Sequence, residues 1–156
     1  MLYTVGEMAK RLGIAPSTLR YYDKEGLLPF VERSDSGIRM FKDSDYEWLK
    51  IIECLKKTGM QLKDIKKFVI MAMEGDSTID DRLELIIKQQ EAVRQQMADL
   101  QQTLDTLEFK RWYYETAQQA GTTDVLTNMP LEQLPEKYRE VRKRLQGSGQ
   151  KGTSIG

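Results

Sequence analysis

One short stretch of this 156-residue chain combines side chains that suit contacts with nucleic acid. Residues 19–28 read Leu-Arg-Tyr-Tyr-Asp-Lys-Glu-Gly-Leu-Leu, which places Arg20, Tyr21 and Tyr22 side by side on an early turn of a short helix. A guanidinium group can form paired hydrogen bonds with a phosphate or a base edge, and a phenol hydroxyl can donate to a phosphate. These residue types therefore predict a surface that contacts nucleic acid.

The residues around this stretch predict two helices separated by a tight turn. Thr4 and Glu7 have the spacing of a capping box, so a first helix should begin there and end at Gly13. Pro16 suits the first position of a second helix, because that position needs no amide hydrogen, and this helix should run to Gly26. The arrangement is that of a helix-turn-helix, in which the second helix presents its N-terminal half to the major groove.

Segments within the first 42 residues match a known family pattern. They are Tyr-Thr-Val-Gly-Glu-Met-Ala at 3–9, Thr-Leu-Arg-Tyr-Tyr-Asp at 18–23, Glu-Gly-Leu-Leu-Pro at 25–29 and Gly-Ile-Arg-Met-Phe at 37–41. In these segments the chain resembles the MerR family of bacterial transcription regulators. The resemblance implies a winged helix-turn-helix head that binds double-stranded promoter DNA. The DNA contacts would then come from Ser17, Thr18, Arg20, Tyr21, Tyr22 and Arg39.

The region after Pro29 predicts a small hairpin followed by two helices. Residues 30–41 alternate loosely around the turn Asp35-Ser36-Gly37, so they should form a β-hairpin, which the resemblance identifies as the wing bearing Arg39. Asp43 is expected to cap a helix that ends at Gly59, and a second helix is expected over 61–73. The residues expected to face inward are Trp48, Ile51, Ile52 and Leu55 in the first helix, and Leu62, Ile65, Phe68, Val69 and Met73 in the second.

Two lysines on the second of these helices are further candidate DNA contacts. Lys63 and Lys66 lie three residues apart on one helical face, so both could touch the same stretch of phosphate backbone. The alternative interpretation is an ordinary solvated face, and the sequence favours neither.

From residue 77 the pattern changes to a repeat of seven. Apolar residues at this spacing, with a second set four places after each of them, predict a coiled-coil seam of about five heptads. The seam residues assigned to dimerisation are Ile79, Leu83, Ile86, Gln90, Val93, Met97, Leu100, Leu104 and Leu107. The helix should continue to Gly121, and at 1.5 Å per residue it would be about 65 Å long. Such a stripe needs a second copy of the chain to cover it.

The family resemblance adds an orientation and a mechanism. It implies that two long helices pair antiparallel, where the polar Gln90 would favour one register, and that the homodimer binds a near-palindromic promoter. The dimer would bend and untwist the promoter and thereby act on RNA polymerase indirectly. The predicted fold class is therefore mainly α, with a winged helix-turn-helix head, a small β-hairpin wing and a long antiparallel coiled-coil dimerisation helix.

The composition argues against an enzyme. The chain has no histidine and one cysteine, and 24 basic residues balance 24 acidic ones. Without histidine, Ser-His, Cys-His and most zinc-dependent chemistry are excluded, and no cofactor or metal is predicted. The chain has no run of eighteen apolar residues and no charged-then-apolar leader, so a cytoplasmic location is expected. The zero net charge does not itself indicate DNA binding, which would require basic side chains gathered on one face.

Cys54 is the one residue that could sense a reactive small molecule. Lys50 and Lys57, at helical spacing on either side, would favour the thiolate form that attacks electrophiles. The wing sequence followed by this cysteine also resembles a MerR subgroup that responds to aldehydes and to carbonyl or nitrosative stress. The alternative is a small buried hydrophobic residue, and the two interpretations carry about equal weight.

The predicted domains are a DNA-binding head at 1–75, a dimerisation helix at 77–120 and a short effector or tail region at 121–156. In the last region, Pro135 should precede an amphipathic helix, and residues 147–156 should be a flexible tail. The residues assigned to the apolar face of that helix are Leu131, Leu134, Tyr138, Val141 and Leu145. The aromatic residues at 112–114 favour packing over a ligand cage.

Two other functions stay open on the sequence alone. The first is an architectural, excisionase-like DNA-binding accessory protein, which needs a winged head but no long dimerising helix. The second is a coiled-coil adaptor whose head binds protein.

Overall fold

The computed structural model describes residues 1–147, so residues 148–156 of the tail predicted at 147–156 lie outside the described residues. The chain divides after Arg94 into two compact units, each with its own core. The predicted fold class is confirmed, since a mainly helical winged head with a small sheet is followed by one long helix. Within residues 1–147, no helix combines the length and the apolarity that crossing a membrane requires.

The first unit begins with a short strand, β1 (Leu2–Tyr3), and two helices, α1 (Val5–Leu12) and α2 (Pro16–Lys24). The predicted capping box is confirmed: the Glu7 amide donates to Thr4 Oγ1 at 3.3 Å, and the Thr4 amide donates to Glu7 Oε2 at 2.8 Å. The turn between the helices contains Gly13 at a φ of 72°, a conformation that costs residues with a Cβ atom more than glycine. Local chemistry thus fixes the helix-turn-helix.

A three-stranded antiparallel sheet follows, in the order β1-β3-β2. Strands β2 (Glu32–Arg33) and β3 (Arg39–Lys42) form the predicted hairpin, in which Arg33 lies opposite Arg39. Strand β1 pairs with the other edge of β3. The sequence did not predict β1, because a strand of two residues shows no periodicity.

Helices α3 (Asp43–Lys57) and α4 (Leu62–Glu74) confirm the predicted pair and correct three details. The N-cap of α3 is Lys42, not Asp43, and its amide donates to Asp45 Oδ2 at 2.8 Å. Ile51 is exposed, because the buried stripe of α3 is centred on Leu49 and Ile52, and Ile51 lies about 100° away from Ile52 around the helix.

Met73 is exposed, although the sequence predicted it inward. It lies in the last turn of α4, past the residues that pack against the core, and Met71 takes the inward position there. The core of the first unit otherwise unites the helix-turn-helix, the wing and this helix pair. Its buried residues are Met8, Ala9, Leu19, Tyr22, Leu27, Leu28, Val31, Phe41, Leu49, Ile52, Leu55, Ile65, Phe68 and Val69.

Helix α5 (Ile79–Ala120) has the predicted start and end, with Gly121 in the left-handed region at a φ of 76°. In the second unit, α6 (Asp124–Thr127) and α7 (Glu136–Gln146) pack on its C-terminal part. Helix α7 contains only part of the predicted apolar face, because Leu131 and Leu134 lie before its first residue. Leu145, which was also predicted on that face, is exposed. The buried residues of this second core are Phe109, Tyr113, Ala117, Leu126, Leu134 and Val141.

Candidate nucleic-acid interface

Helix α2 has one face in the core and one face in solvent. Leu19 and Tyr22 are buried, whereas Ser17, Arg20 and Tyr21 are exposed. The helix thus keeps a hydroxyl, a guanidinium and a phenol available on one side while the other side holds it rigidly. Thr18, half-buried, lies between the two faces.

Tyr22 corrects the predicted set of DNA contacts, because its side chain is fully buried. Its hydroxyl donates to Glu53 Oε1 on α3 at 2.5 Å, and Lys56 Nζ lies 5.2 Å from the centre of its ring. Burial, followed by the hydrogen bond to the Glu53 carboxylate, raises the pKa of Tyr22 above its usual value. Tyr22 therefore holds α2 against α3 instead of facing a ligand.

Arg39 also differs from the prediction, because it binds groups of its own chain. Its side chain is only 18% exposed and forms an ion pair with Asp23, near the end of α2. Its Nη1 donates to the carbonyl oxygens of Val31 and Leu28. These partners leave the guanidinium unavailable to a phosphate in this arrangement, which corrects the assignment of Arg39 as a DNA contact.

Arg33 is a basic wing residue that was not among the DNA contacts predicted from the sequence. Its side chain is 52% exposed, with Nη2 3.2 Å from Asp23 Oδ2 and Nη1 donating to the Gly37 carbonyl at 2.8 Å. The signal that could have identified it is its position, because a hairpin register around the turn at 35–37 places it opposite Arg39.

The two candidate lysines of α4 are both exposed but lie in different surroundings. Lys66 Nζ reaches the turn after α2, where it lies 2.9 Å from the position that a Cβ atom on Gly26 would occupy. Lys63 lines an open groove that also includes Lys67 and Asp81. The structure therefore brings Lys66 to the end of α2, whereas Lys63 lies beside the start of α5.

An ion-pair cluster fixes α1 and β1 to the start of α3. Arg11 Nη1 lies 2.8 Å from Asp43 Oδ1, to which the Tyr3 hydroxyl also donates at 3.0 Å. The Arg11 guanidinium also stacks near the rings of Tyr3 and Tyr46, at 5.1 and 4.6 Å. The hydrogen bond from Arg11, and then that from Tyr3, lower the pKa of Asp43 to about 2.

Cys54 is exposed on α3, which does not fit the alternative of a small buried hydrophobic residue. It follows Glu53, the acceptor of the Tyr22 hydroxyl, so it lies next to a residue that supports α2. Among residues 1–147, no three or more acidic or cysteine side chains are grouped as a metal site would require.

The seam residues of α5 are largely exposed. Ile79, Leu83 and Ile86 in the first unit, and Met97, Leu100, Leu104 and Leu107 in the second, each have at least 41% of their surface accessible. Gln90 is exposed between them, and Val93 is half-buried. So many large apolar side chains on one stripe of a helix are typical of an interaction surface.

The aromatic residues at 112–114 act mainly in packing, as expected. Tyr113 is buried against Phe109 in the second core, and the Trp112 ring lies 5.4 Å from that of Tyr138. Tyr114 is exposed on the seam side.

Comparison with known proteins gives concordant matches along most of the chain. Residues 3–70 match the family described as MerR HTH family regulatory protein, and residues 46–108 match the one described as MerR, DNA binding. An uncharacterized HTH-type transcriptional regulator of Haemophilus influenzae is 46% identical over 136 residues, which are 87% of this chain and 98% of that relative.

Solved structures agree with these matches. A crystal structure of HiNmlR, a MerR family regulator lacking the sensor domain and bound to promoter DNA, is 46% identical, with a TM-score of 0.73 over 81% of this chain and all of that one. A MerR family regulator from Bacillus thuringiensis is 43% identical, with a TM-score of 0.66 over 70% of this chain and 96% of that one. This chain belongs to the MerR family of helix-turn-helix regulatory proteins.

Proposed function

We propose that this transcriptional regulator binds a near-palindromic promoter as a homodimer and distorts the duplex. The observation that carries the proposal is the two-faced α2, which exposes Ser17, Arg20 and Tyr21 while Tyr22 fixes its other face to α3. The guanidinium can form two hydrogen bonds with a guanine edge or a phosphate, and the hydroxyls can donate to phosphates. HiNmlR, which is bound to promoter DNA in its crystal structure, supports this assignment.

The corrected set of proposed DNA contacts is smaller than the sequence suggested. Ser17, Thr18, Arg20 and Tyr21 of α2 remain, together with Lys63 and Lys66 of α4, whereas Tyr22 and Arg39 act in support. Lys66 is the better placed of the two lysines, because its ammonium group lies at the turn that ends α2. The positive charges of Arg20, Lys63 and Lys66 suit contacts with the phosphates of a DNA duplex.

The proposed homodimer rests on the exposed seam of α5. Its apolar side chains keep the heptad spacing through residue 107, and a matching helix would remove them from water. We assign residues 1–75 to DNA binding, 77–120 to dimerisation and 121–156 to a short effector or tail region. A two-fold symmetric dimer would match a two-fold symmetric duplex, and bending that duplex costs on the order of several kcal/mol, which two heads must jointly offset.

Selection of bound duplexes from a random pool tests this function. The expected result is an inverted repeat, bound by a dimer with an affinity that falls steeply with salt. A monomer that binds single half-sites would instead support an accessory role, and a lack of salt-dependent duplex binding would support a protein-binding adaptor. Either outcome would contradict the proposal.

Because promoter DNA is its proposed partner, we place the regulator in the cytoplasm, and we propose that it acts on RNA polymerase indirectly, through the promoter.

The proposed signal is a thiol-reactive electrophile or another small molecule acting at Cys54. The exposed thiol is accessible, and the adjacent Glu53 contacts α2 through Tyr22. Mass spectrometry of the peptide that contains position 54, after mild aldehyde exposure, should show an adduct on Cys54 in the wild type and none at that position in Cys54→Ser. Promoter output should then respond to the aldehyde only when Cys54 is present. An unmodified thiol, or equal output from both proteins, would refute a sensor role.

A further inference from the structure

Asp23 is an acidic residue on the helix that we expect to contact DNA. It lies in the last turn of α2, three residues after Arg20, where its charge would repel phosphates if it were free. Its side chain is only 22% exposed, and both of its neighbouring cations come from the wing. Asp23 is therefore paired with the wing although it lies on the helix proposed to meet the duplex.

The hairpin register explains why two cations need this one carboxylate. Arg33 on β2 lies directly opposite Arg39 on β3, and like charges at opposed positions destabilise a strand pair. Asp23 approaches both guanidinium groups, Arg39 through Oδ1 and Arg33 through Oδ2, the latter at 3.2 Å. One carboxylate thereby offsets part of the repulsion within the hairpin and attaches the hairpin to α2.

Both arginines also donate to backbone carbonyl oxygens, each in a different part of the wing region. Arg39 also donates to the carbonyl oxygens of Leu28 and Val31, in the segment that leads from α2 to the wing. Arg33 donates to the carbonyl oxygen of Gly37, at the tip of the hairpin, at 2.8 Å. Through its ion pairs with Arg39 and Arg33, Asp23 is therefore connected to both the base and the tip of the wing.

We infer that Asp23 is a positioning residue that sets the wing relative to α2 for DNA binding. This inference rests on the proposed function, because the wing matters only if this face meets a duplex. Loss of the Asp23 carboxylate has two opposed effects on DNA binding. Removal of a negative charge from a DNA-binding face should tighten binding, because phosphates are repelled less. Loss of the attachment between α2 and the wing should weaken binding, and we expect this second effect to be the larger.

The test compares Asp23→Asn with Glu25→Gln in the full chain. Both variants remove one negative charge at the end of α2, but Glu25 is exposed and no contact between it and the wing is observed among the described residues. The probe is a duplex selected by the wild-type protein. We expect Asp23→Asn to weaken binding on the order of tenfold, as for loss of a charge-assisted contact, and Glu25→Gln to bind equally well or more tightly. Asp23→Glu should restore part of the affinity.

Hydrogen exchange provides a second measurement that does not depend on DNA. The amides of Ser34 and Gly37, which donate within the hairpin at 2.8 Å each, should exchange faster in Asp23→Asn than in Glu25→Gln. The amides of the buried α4 residues should exchange at wild-type rates. Failure of the wild type to bind any duplex would refute the proposed function, and this measurement would still test the attachment.

Two results would overturn the inference. The first is Asp23→Asn binding as tightly as Glu25→Gln or more tightly. The second is an acceleration of exchange that extends to α4, which would show a general loss of stability and not a role confined to the wing.

Discussion

At the scale of single residues, Tyr21 and Tyr22 are chain neighbours with different roles. Tyr21 is 48% exposed on the solvent side of α2, whereas Tyr22 is fully buried and donates to Glu53. Successive residues on a helix point about 100° apart, so one phenol can face a ligand while the next belongs to the core. The same residue type thus contributes contact chemistry at one position and rigidity at the other.

Tyr22→Phe should destabilise the fold, because it leaves the Glu53 carboxylate without its donor. We expect the free energy of unfolding to fall by about 1.5 kcal/mol, the size of one hydrogen bond to a charged group. Tyr21→Phe removes the same hydroxyl from an exposed ring and is the matched control, with an expected change within about 0.5 kcal/mol. Urea unfolding measures both, and equal stabilities would show that the hydrogen bond adds nothing.

Arg20→Ala should weaken binding to a selected palindrome by about 1 to 3 kcal/mol, the range for a side chain that makes paired contacts with a base. Lys10→Ala removes one positive charge from the exposed surface of α1 and serves as the control. Fluorescence anisotropy with the labelled duplex gives both affinities. An unchanged affinity in Arg20→Ala would remove Arg20 from the interface.

At the scale of elements, Asp43 joins three of them. It is the first residue of α3, and it accepts from Arg11 of α1 and Tyr3 of β1. A carboxylate in the first turn of a helix also interacts favourably with the positive end of the helix dipole. The helix-turn-helix is therefore held to α3 by an ionic cluster at one point and by Tyr22 at another.

This cluster predicts an acid dependence of stability. The pKa of Asp43 is lowered to about 2 from an ordinary value of 3.8, so the folded state holds its proton more weakly than the unfolded state. The stabilisation is complete above pH 3.8 and is lost as the pH falls towards 2. Asp43→Asn should therefore flatten the fall in melting temperature over this range. Glu47→Gln, one turn later on the exposed side of α3, should retain it; identical pH profiles for Asp43→Asn and the wild type would contradict the prediction.

At the scale of the whole molecule, α5 uses different faces for different purposes. In the second unit, Phe109 and Tyr113 pack against the C-terminal segment, and Arg144 donates to the Gln102 carbonyl and to Thr106 Oγ1. Met97 and Leu104 are seven residues apart and both belong to the seam. Counted from them, the residues that the C-terminal helices contact occupy heptad positions outside the seam. Residues of α6, α7 and the segment between them thus cover a face of α5 outside the seam and leave the proposed dimerisation seam exposed.

Leu104→Asp should therefore prevent dimerisation without unfolding either unit. A charge in the seam would be buried without a partner in the dimer, whereas in the monomer it stays in water. Ala98→Asp places the same side chain on the exposed side of α5 outside the seam and should leave the dimer intact. Sedimentation velocity distinguishes the two. A Leu104→Asp protein that stays dimeric, or a wild type that is monomeric, would contradict the seam assignment.

The amino-acid sequence by itself determined the features that local chemistry controls. The capping box at Thr4 and Glu7, the turn at Gly13, the wing hairpin and the seven-residue repeat all depend on residues a few positions apart. Their spacing was sufficient to predict the winged helix-turn-helix, the long helix and the family to which the chain belongs.

Only the tertiary structure decided which polar side chains stay free. Tyr22 packs in the core, where Glu53, 31 residues later, accepts the hydrogen bond of its hydroxyl. Arg39 is occupied because Asp23, on another element, lies against it. Strand β1 likewise exists because β3 offers it an edge some forty residues away. Burial and ion pairing depend on partners distant in the chain, so a local pattern can name the residues of a surface without showing which of them face the solvent.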